Sequence, residues 1–163
     1  MKIMNDWKNK KILISGVTGF VGGNLVKTLL KNGAEVFAIV RSLNPNCFLN
    51  YEGYEKKIRL FQGDINDKEL WFNIITEQQI HVIYHLAAQV EVGVGLTNPY
   101  LTFETNVRGT YNMLEACRLA INSGHNINAI VVASSDKAYG ELVGDEYFET
   151  HPLMGAYPYD ASK

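Results

Sequence analysis

Residues 11–23 read KILISGVTGFVGG, and this stretch decides the fold. The apolar run Lys11–Ser15 predicts a first buried strand, and apolar residues at helical spacing predict a helix over Phe20–Lys31. Glycines between them let the backbone turn tightly and approach a pyrophosphate, which then sits at the helix N-terminus. The loop residues that we therefore expect to bind a dinucleotide are Gly16, Thr18, Gly19, Phe20, Val21 and Gly22.

The spacing of these glycines is G-x-x-G-x-x-G, which differs from the G-x-G-x-x-G of the standard dinucleotide fingerprint. A glycine-rich loop can also be a simple turn. Its place between a strand and a helix, at the start of an alternating pattern, favours the binding interpretation. No Gly-Lys-Ser/Thr follows the loop, so a Walker A phosphate loop is excluded.

Strands and helices alternate along the rest of the chain. Further strands are predicted at residues 35–40, 58–63, 81–86 and 127–134, and helices at 67–77 and 99–122. Residues 44–57 predict a loop that can hold a short helix, and Asn66 is a candidate N-cap. Alternating strands and helices imply a parallel sheet covered on both faces, and right-handed crossovers make it doubly wound. The predicted class is α/β with a Rossmann-type dinucleotide-binding sheet.

The composition is that of an ordinary globular protein, with 163 residues, 47% hydrophobic content, 20% charged content and a net charge of −2. A chain of this length buries one substantial core, so we expect one domain or most of one. There is no basic block and no apolar run of about 20 residues, so neither nucleic acid nor a membrane is an expected partner. Cys47 and Cys117 lack metal-ligand spacing, and residues 1–10 lack an apolar leader. We expect reduced thiols, no metal site and a cytoplasmic location.

Two polar residues follow predicted strands at the edge where a dinucleotide would lie. Arg41 stands where NAD-binding proteins usually place an acid. It can pair with the 2′-phosphate of NADP or remain a solvated strand-end residue. Asp64 can accept a hydrogen bond from the adenine amino group or cap the turn that follows it. Both interpretations stay open for each residue.

The last seven residues place Tyr159 and Lys163 four positions apart. On a helix that spacing puts both side chains on one face. A lysine ammonium beside a phenol favours the phenolate, which suits it to proton transfer. The spacing is common by chance, so its weight depends on the motifs that precede it. Tyr157 has Ala161 four residues on, and we expect it in a loop or a substrate wall.

Six motifs in order give the chain a resemblance to the extended short-chain dehydrogenase/reductase family, the NAD-dependent epimerase/dehydratases of sugar nucleotides. The motifs are residues 16–22 (GVTGFVG), 63–65 (GDI), 85–89 (HLAAQ), 105–110 (TNVRGT), 134–140 (SSDKAYG) and 159–163 (YDASK). Together they cover essentially all of the chain from Trp7 onward. The set is far more specific than any one motif.

The resemblance implies an NAD or NADP site with contributions from several loops. Besides the glycine loop, Arg41 and Asp64, the implied cofactor residues are Ile65, Leu86, Ala87, Ala88, Asn106, Tyr159 and Lys163. Ser135, Tyr159 and Lys163 align with the Ser/Thr-Tyr-Lys triad of the family. By that alignment Tyr159 takes the proton from a sugar C4 hydroxyl while hydride leaves C4 for the nicotinamide. Lys163 then holds the nicotinamide ribose, and Ser135 hydrogen-bonds the reacting oxygen.

Asp136 and Lys137 directly follow Ser135, and this trio resembles the sugar-nucleotide 4,6-dehydratases, which eliminate water across C5 and C6. The resemblance implies that Asp136 protonates the departing C6 hydroxyl and that Lys137 removes the C5 proton. A lysine can act as a base only where burial or nearby positive charge favours its neutral form. The alternative is a turn-capping aspartate beside a solvated lysine. The implied product is a 4-keto-6-deoxy nucleotide sugar.

Within the dehydratases, the Ser-Asp-Lys trio and residues 5–11 favour the CDP-glucose type. Similarity to that type favours NAD as the cofactor. Residues 40–42 and 17–19 are similar to the GDP-mannose type, and Arg41 favours NADP. A 4-epimerase or keto-reductase of the same family is the alternative enzyme. A non-catalytic dinucleotide-binding module is the alternative of another class.

Family members run to about twice this length. We therefore expect residues 1–163 to form the N-terminal dinucleotide-binding part of a longer homodimeric enzyme. The portion that follows in the family supplies the last strands and most of the nucleotide-sugar site. In the family the helix that begins near Tyr159 pairs with the helix at residues 99–122 of a second subunit. The 163 residues alone are expected to turn over little or nothing.

Overall fold

The computed structural model describes residues 7–43, 45–142, 144 and 146–163. Over these residues five strands form one parallel sheet in the order β3-β2-β1-β4-β5. The strands are β1 (Lys11–Ser15), β2 (Glu35–Val40), β3 (Arg59–Gln62), β4 (Val82–His85) and β5 (Ala129–Val132). The predicted parallel α/β sheet is confirmed.

Seven α-helices connect or flank these strands in the described part of the chain. They are α1 (Phe20–Lys31), α2 (Phe48–Tyr51), α3 (Lys68–Gln78), α4 (Val92–Thr97), α5 (Pro99–Phe103), α6 (Gly109–Asn122) and α7 (Pro158–Ala161). A π-helical segment, Glu104–Arg108, joins α5 to α6, and 3₁₀ turns lie at Tyr54–Lys56 and Asp136–Tyr139.

The first three predicted elements have the observed bounds, and the later ones differ at their ends. Strands β3, β4 and β5 are shorter than predicted because only part of each run pairs with a neighbour. The N-cap predicted at Asn66 was wrong, because Asp67 is the N-cap and its side chain accepts the Leu70 amide proton. Helix α4 was not predicted. Two predictions lie partly outside the described residues. These are the lack of a leader, for residues 1–6, and the loop at 44–57, for residue 44.

Side chains at alternate positions along the strands pack into two separate cores, one on each face of the sheet. On one face Leu13 and Ile83 pack with helices α3 and α6 around the fully buried Trp71. On the other face Ile12 and Ile14 pack against α1 and α2. Because side chains of a strand alternate in direction, a buried parallel strand must be apolar on both sides. The sheet is thus doubly covered, as predicted.

The two cysteines lie on opposite faces of this sheet. Cys47 belongs to the core beneath α1, and Cys117 belongs to the core beneath α6. Both are buried free thiols, and burial raises the pKa of Cys117 to about 12. A disulfide between them is excluded by the sheet that separates them.

The carboxyl ends of β1 and β4 form the switch point of the sheet. The chain leaves β1 towards β2 and β3 and returns through α3 to β4 on the other side of β1. Connections therefore diverge above these two strands and leave a crevice, which is where open α/β sheets bind ligands. Gly16 lies at this point with φ of +83°.

We predict that Gly22→Ala destabilises the fold, because a Cβ at Gly22 would lie 2.2 Å from the Gly16 carbonyl oxygen. Helix α1 would have to move off β1, at a cost of about 3 kcal/mol. Urea denaturation measures the change. Gly93→Ala is the control, since its Cβ meets nothing within 4 Å in helix α4, and stability should stay or rise by about 0.5 kcal/mol. Equal stability of the two variants would contradict the packing argument.

Candidate active site

A cleft of about 260 Å³ opens at the switch point, over the carboxyl ends of β1, β2, β3 and β4. Nine residues predicted to bind the cofactor line this one cleft: Gly16, Thr18, Gly19, Arg41, Asp64, Ile65, Leu86, Ala87 and Ala88. The cleft is also lined by Ile39, Val40, Gly63, Val90 and Thr105, which the sequence analysis did not place among the site residues. Loops far apart in sequence meet here because parallel strands end at the same edge.

The glycine loop has the shape and the free donors that a pyrophosphate requires. A Cβ on Gly16 would lie 2.7 Å from the Ala87 nitrogen, so only glycine lets the loop come this close to the end of β4. Helix α1 begins at Phe20 after the N-cap Gly19, which offers no side-chain cap, and its first turn carries no acidic residue. The first amides of a helix have no intrahelical acceptor and attract anions. The loop therefore fits the phosphates of a dinucleotide.

Phe20, Val21 and Gly22 are at this helix start but do not line the cleft. The side chains of Phe20 and Val21 are 84% and 65% exposed. Their amides, rather than their side chains, lie where an anion would bind. Gly22 faces the Gly16 carbonyl and sets the distance between α1 and β1.

Arg41 and Asp64 stand on the cleft wall at the ends of β2 and β3. The exposed Arg41 guanidinium has no hydrogen bond or ion pair with another described residue. Asp64 caps its own turn, because its Oδ1 accepts the Asn66 amide proton at 2.8 Å. The capping interpretation of Asp64 is thus correct. Its other carboxylate oxygen remains available to a ligand.

Asn106 lies outside the cleft in a buried polar network. Its Oδ1 accepts the Gln89 amide proton at 2.7 Å, and its Nδ2 donates to the Gln89 carbonyl and to the Ser162 hydroxyl. The residue sits in the π-helical segment, a geometry often found at functional sites. Asn106 therefore connects the loop after β4 to the end of α7.

Tyr159 lies in the short helix α7, which begins at Pro158 and ends at Ala161, and Lys163 follows two residues after that end. Lys163 donates from its Nζ to the Ala133 carbonyl, and its own carbonyl accepts the Ser134 hydroxyl proton at 2.8 Å. Burial lowers the pKa of Lys163. Helix α4 packs beside Tyr159, since a Cβ added at Gly95 would lie in ordinary contact, 3.5 Å from the Tyr159 nitrogen. The tyrosine–lysine segment is therefore docked at the end of β5.

Ser135 precedes the 3₁₀ turn Asp136–Tyr139, which packs against α7. Its hydroxyl donates to Asp136 Oδ1 at 3.1 Å and accepts the Lys137 amide proton at 3.2 Å. The side chains of Asp136 and Lys137 are exposed. The structure thus brings the predicted elimination pair next to the helix that carries Tyr159, at the carboxyl edge of the sheet.

A buried polar pair beneath the cleft was missed by the sequence analysis. Ser15 and His85 are the last residues of β1 and β4 and face each other in the strand register. The Ser15 hydroxyl lies 2.9 Å from His85 Nδ1 and accepts the Ala87 amide proton at 3.2 Å. A polar residue closing an otherwise apolar buried strand is the signal that could have found them.

These features define a dinucleotide-binding Rossmann domain with a second cluster of polar groups beside the cofactor cleft. Residues 13–163 match the family model described as GDP-mannose 4,6 dehydratase. The chain therefore belongs to this family of sugar-nucleotide dehydratases and epimerases, within the extended short-chain dehydrogenases/reductases. The family predicted from the six motifs is confirmed.

Known proteins similar to the chain include both dehydratases and epimerases. CDP-glucose 4,6-dehydratase of Salmonella typhimurium is 34% identical, over 98% of this chain and 44% of its own length. Among solved structures, UDP-glucose 4-epimerase of Thermus thermophilus in complex with NAD is 34% identical with a TM-score of 0.79, over 94% of this chain and 47% of that one. The dTDP-glucose 4,6-dehydratase of Streptomyces venezuelae, solved with NAD bound, is 27% identical with a TM-score of 0.81, over 94% and 48%. The chain spans about half the length of these relatives.

None of the helices in the described residues is both long and apolar enough to cross a membrane. This agrees with the lack of a long apolar run in the sequence.

We predict that acid weakens the fold through His85. Burial lowers the pKa of this imidazole to about 4, and the Lys163 ammonium adds to the effect. The unfolded chain takes up the proton near pH 6.5, whereas the folded chain does not until about pH 4. Stability is therefore lost as the pH falls through this window, by up to about 3 kcal/mol.

Urea denaturation of the protein and of His85→Asn between pH 7 and pH 4 measures this contribution. The difference between the two free energies of unfolding should shrink as the pH falls, because the variant lacks the imidazole. A constant difference across the window would show that His85 titrates normally in the folded state.

Proposed function

We propose that the protein is a sugar-nucleotide 4,6-dehydratase of the CDP-glucose type, acting on a nucleoside-diphosphate hexose. The observation that carries the proposal is the packing of the Ser135–Asp136–Lys137 turn on helix α7, which holds Tyr159. A simple epimerase needs proton transfer at C4 only, whereas a dehydratase also needs an acid and a base for C6 and C5. This chain supplies an additional carboxylate and amine at that place.

A nicotinamide cofactor held in the cleft would supply the hydride acceptor for sugar C4 and the hydride donor for C6, and it would therefore not be consumed overall. The residues of the chain carry the proton transfers. Tyr159 takes the C4 hydroxyl proton, and Ser135 donates a hydrogen bond to the same oxygen as it becomes a carbonyl. Lys163, held between α7 and β5, contributes positive charge that favours the phenolate of Tyr159.

Elimination follows from the acidity of C5–H beside a C4 carbonyl. Lys137 removes the C5 proton while Asp136 protonates the departing C6 hydroxyl, which leaves as water. Reduction at C6 and protonation at C5 then give the 4-keto-6-deoxy sugar. The proton delivered to C5 comes from a group that exchanges with solvent, so the product acquires one solvent hydrogen at this carbon.

We predict that the complete gene product, incubated with nucleotide hexoses in D₂O, forms a 4-keto-6-deoxy product with deuterium at C5. Lys137→Ala should lower turnover by about 10²- to 10⁴-fold, because a general base is lost. Its cofactor affinity should stay unchanged. Mass spectrometry and NMR of the product measure the turnover and the deuterium at C5, and a cofactor titration measures the affinity. Lys10→Ala, at the opposite edge of the sheet, is the control.

Four outcomes of this experiment contradict the proposal or a part of it. A C4 epimer without deuterium at C5 would identify a 4-epimerase, and net consumption of reduced cofactor would identify a keto-reductase. Cofactor binding without turnover of any nucleotide hexose would favour a non-catalytic module. Unchanged turnover of Lys137→Ala would remove this lysine from the mechanism.

We further propose that the cleft accepts both NAD and NADP, with Arg41 serving the 2′-phosphate. The guanidinium is exposed on the cleft wall at the end of β2, and no acidic residue follows this strand to repel a phosphate. Arg41→Ala should therefore weaken NADP binding by about tenfold and NAD binding by less than about twofold. Isothermal titration of both cofactors measures this.

The control for Arg41 is Arg59→Ala, since Arg59 lies at the amino end of β3 in an exposed ion pair with Glu35. It should change neither affinity. An equal loss for NAD and NADP in Arg41→Ala would mean that the arginine contacts a part common to both cofactors.

The third proposal is a homodimer formed through the α5–α6 segment. Large apolar side chains follow one another along it at intervals of three or four residues, with one longer interval. They are Tyr100, Phe103, Val107, Tyr111, Leu114 and Ile121, each between 38% and 74% exposed. An exposed apolar stripe of this length on a helix is typical of an interaction surface.

We predict that Tyr111→Lys converts a dimer of the complete gene product to a monomer, because it places a charge in the middle of the stripe. Sedimentation velocity measures the change. Tyr51→Lys is the control, since Tyr51 is 86% exposed on helix α2, away from the stripe. A monomeric unmutated protein, or dimers of both variants, would contradict the proposal.

A further inference from the structure

The Ser15–His85 pair sits directly beneath the cofactor cleft and takes no part in the chemistry proposed above. Both side chains are buried, at 0% and 2% exposure. The pair joins neighbouring parallel strands, β1 and β4, at the level where their loops separate. The backbone of Gly16 and Ala87, which line the cleft, begins one and two residues further on.

The hydrogen bonds of the pair fix the direction of each proton. The Ala87 amide can only donate, so the Ser15 hydroxyl oxygen accepts there. The Ser15 hydroxyl proton has one acceptor among the described residues, His85 Nδ1 at 2.9 Å. With a proton on Nδ1 instead, this hydroxyl proton would have no acceptor, whereas Nε2 lacks a partner in either arrangement. The hydrogen bonds therefore favour the neutral tautomer with its proton on Nε2.

The ring of His85 is held in place from the other side. It packs edge-on against the Trp71 indole, with 5.6 Å between ring centroids. Trp71 Nε1 in turn donates to the Ile65 carbonyl at 2.9 Å, on the opposite wall of the cleft. His85 Nε2 is buried without a partner in the described part of the chain. A buried polar atom without a hydrogen bond costs folding free energy, so the presence of a histidine at this position needs a functional explanation.

We propose that His85 is a positioning residue of the cofactor cleft, which orients the Ser15 hydroxyl so that this hydroxyl holds the Ala87 amide. This inference rests on the proposed binding of a dinucleotide in the cleft. Ala87 lies close to β1, because even a Cβ added at Gly16 would come within 2.7 Å of its nitrogen. The Ser15 bond keeps Ala87 from moving outward. The two contacts together set the width of the cleft at the place where the loop after β4 passes the cofactor.

The decisive variants are His85→Leu and His85→Asn, whose side chains have the same number and branching of heavy atoms and differ in polarity. Asparagine can present an oxygen near the position of Nδ1 to the Ser15 hydroxyl, whereas leucine cannot. Ser15→Ala removes the hydroxyl itself. Val36→Ala is the control, because Val36 is buried in the same sheet at the amino half of β2, away from the cleft.

Titration calorimetry with NAD and thermal unfolding without cofactor are measured on all four variants. His85→Leu and Ser15→Ala should bind NAD about tenfold more weakly than the unmutated protein. His85→Asn should recover most of this loss, and Val36→Ala should bind normally at a comparable loss of melting temperature. Equal NAD affinity of His85→Leu and His85→Asn, or a loss in Val36→Ala of the same size, would overturn the proposal.

Long-range ¹H–¹⁵N NMR correlations of the unmutated protein test the same inference independently of binding. They should show a proton on His85 Nε2 and none on Nδ1. A proton on Nδ1 would overturn the proposal whatever the affinities are. Failure of the unmutated protein to bind NAD would refute the proposed cofactor site, while this spectrum would still decide the state of His85.

Discussion

The close approach of Gly16 to Ala87 is the contact on which the rest of the site depends. With a side chain at position 16, the ends of β1 and β4 could not lie this near, because an added Cβ would meet the Ala87 nitrogen at 2.7 Å. The positive φ of Gly16 then turns the chain into helix α1. The N-terminus of α1 and the loop after β4 become two walls of one cleft. The other residues that line the cleft are placed relative to these walls.

The same edge of the sheet also collects the groups proposed for catalysis. His85 accepts the Ala133 amide proton through its carbonyl, so β4 and β5 continue their pairing up to the residue that holds Lys163. Asn106 joins the loop after β4 to Ser162. The cofactor cleft and the tyrosine–lysine segment are thus linked through backbone and buried side chains. A displacement of β4 would move both.

Buried strands and amphipathic helices could be predicted because their apolar patterns are local. Lys11–Ser15 and Phe20–Lys31 have the predicted bounds, and the cleft gathers most of the residues that the motifs indicated. Helix α4 was missed because its sequence, VGVGLT, has two glycines and no helical apolar pattern, so tertiary contacts with α5 and α7 decide its conformation. The hydrogen-bond network of Asn106 could not be predicted, because its partners Gln89 and Ser162 are far from it in sequence and meet it only in the folded chain. Asp67 competed with Asn66 as N-cap, and only the geometry of the turn decides between two such neighbours.

The central claim is that a dinucleotide binds at the switch point between β1 and β4. The most direct test is a titration of the ¹⁵N-labelled protein with NAD, followed by amide chemical shifts. The account predicts the largest changes at the amides of residues 18–22, 64–65 and 87–88. Changes concentrated in the groove between α3 and α6, near Phe72 and Leu119, would contradict it. So would the absence of any change at the glycine loop when NAD is in excess.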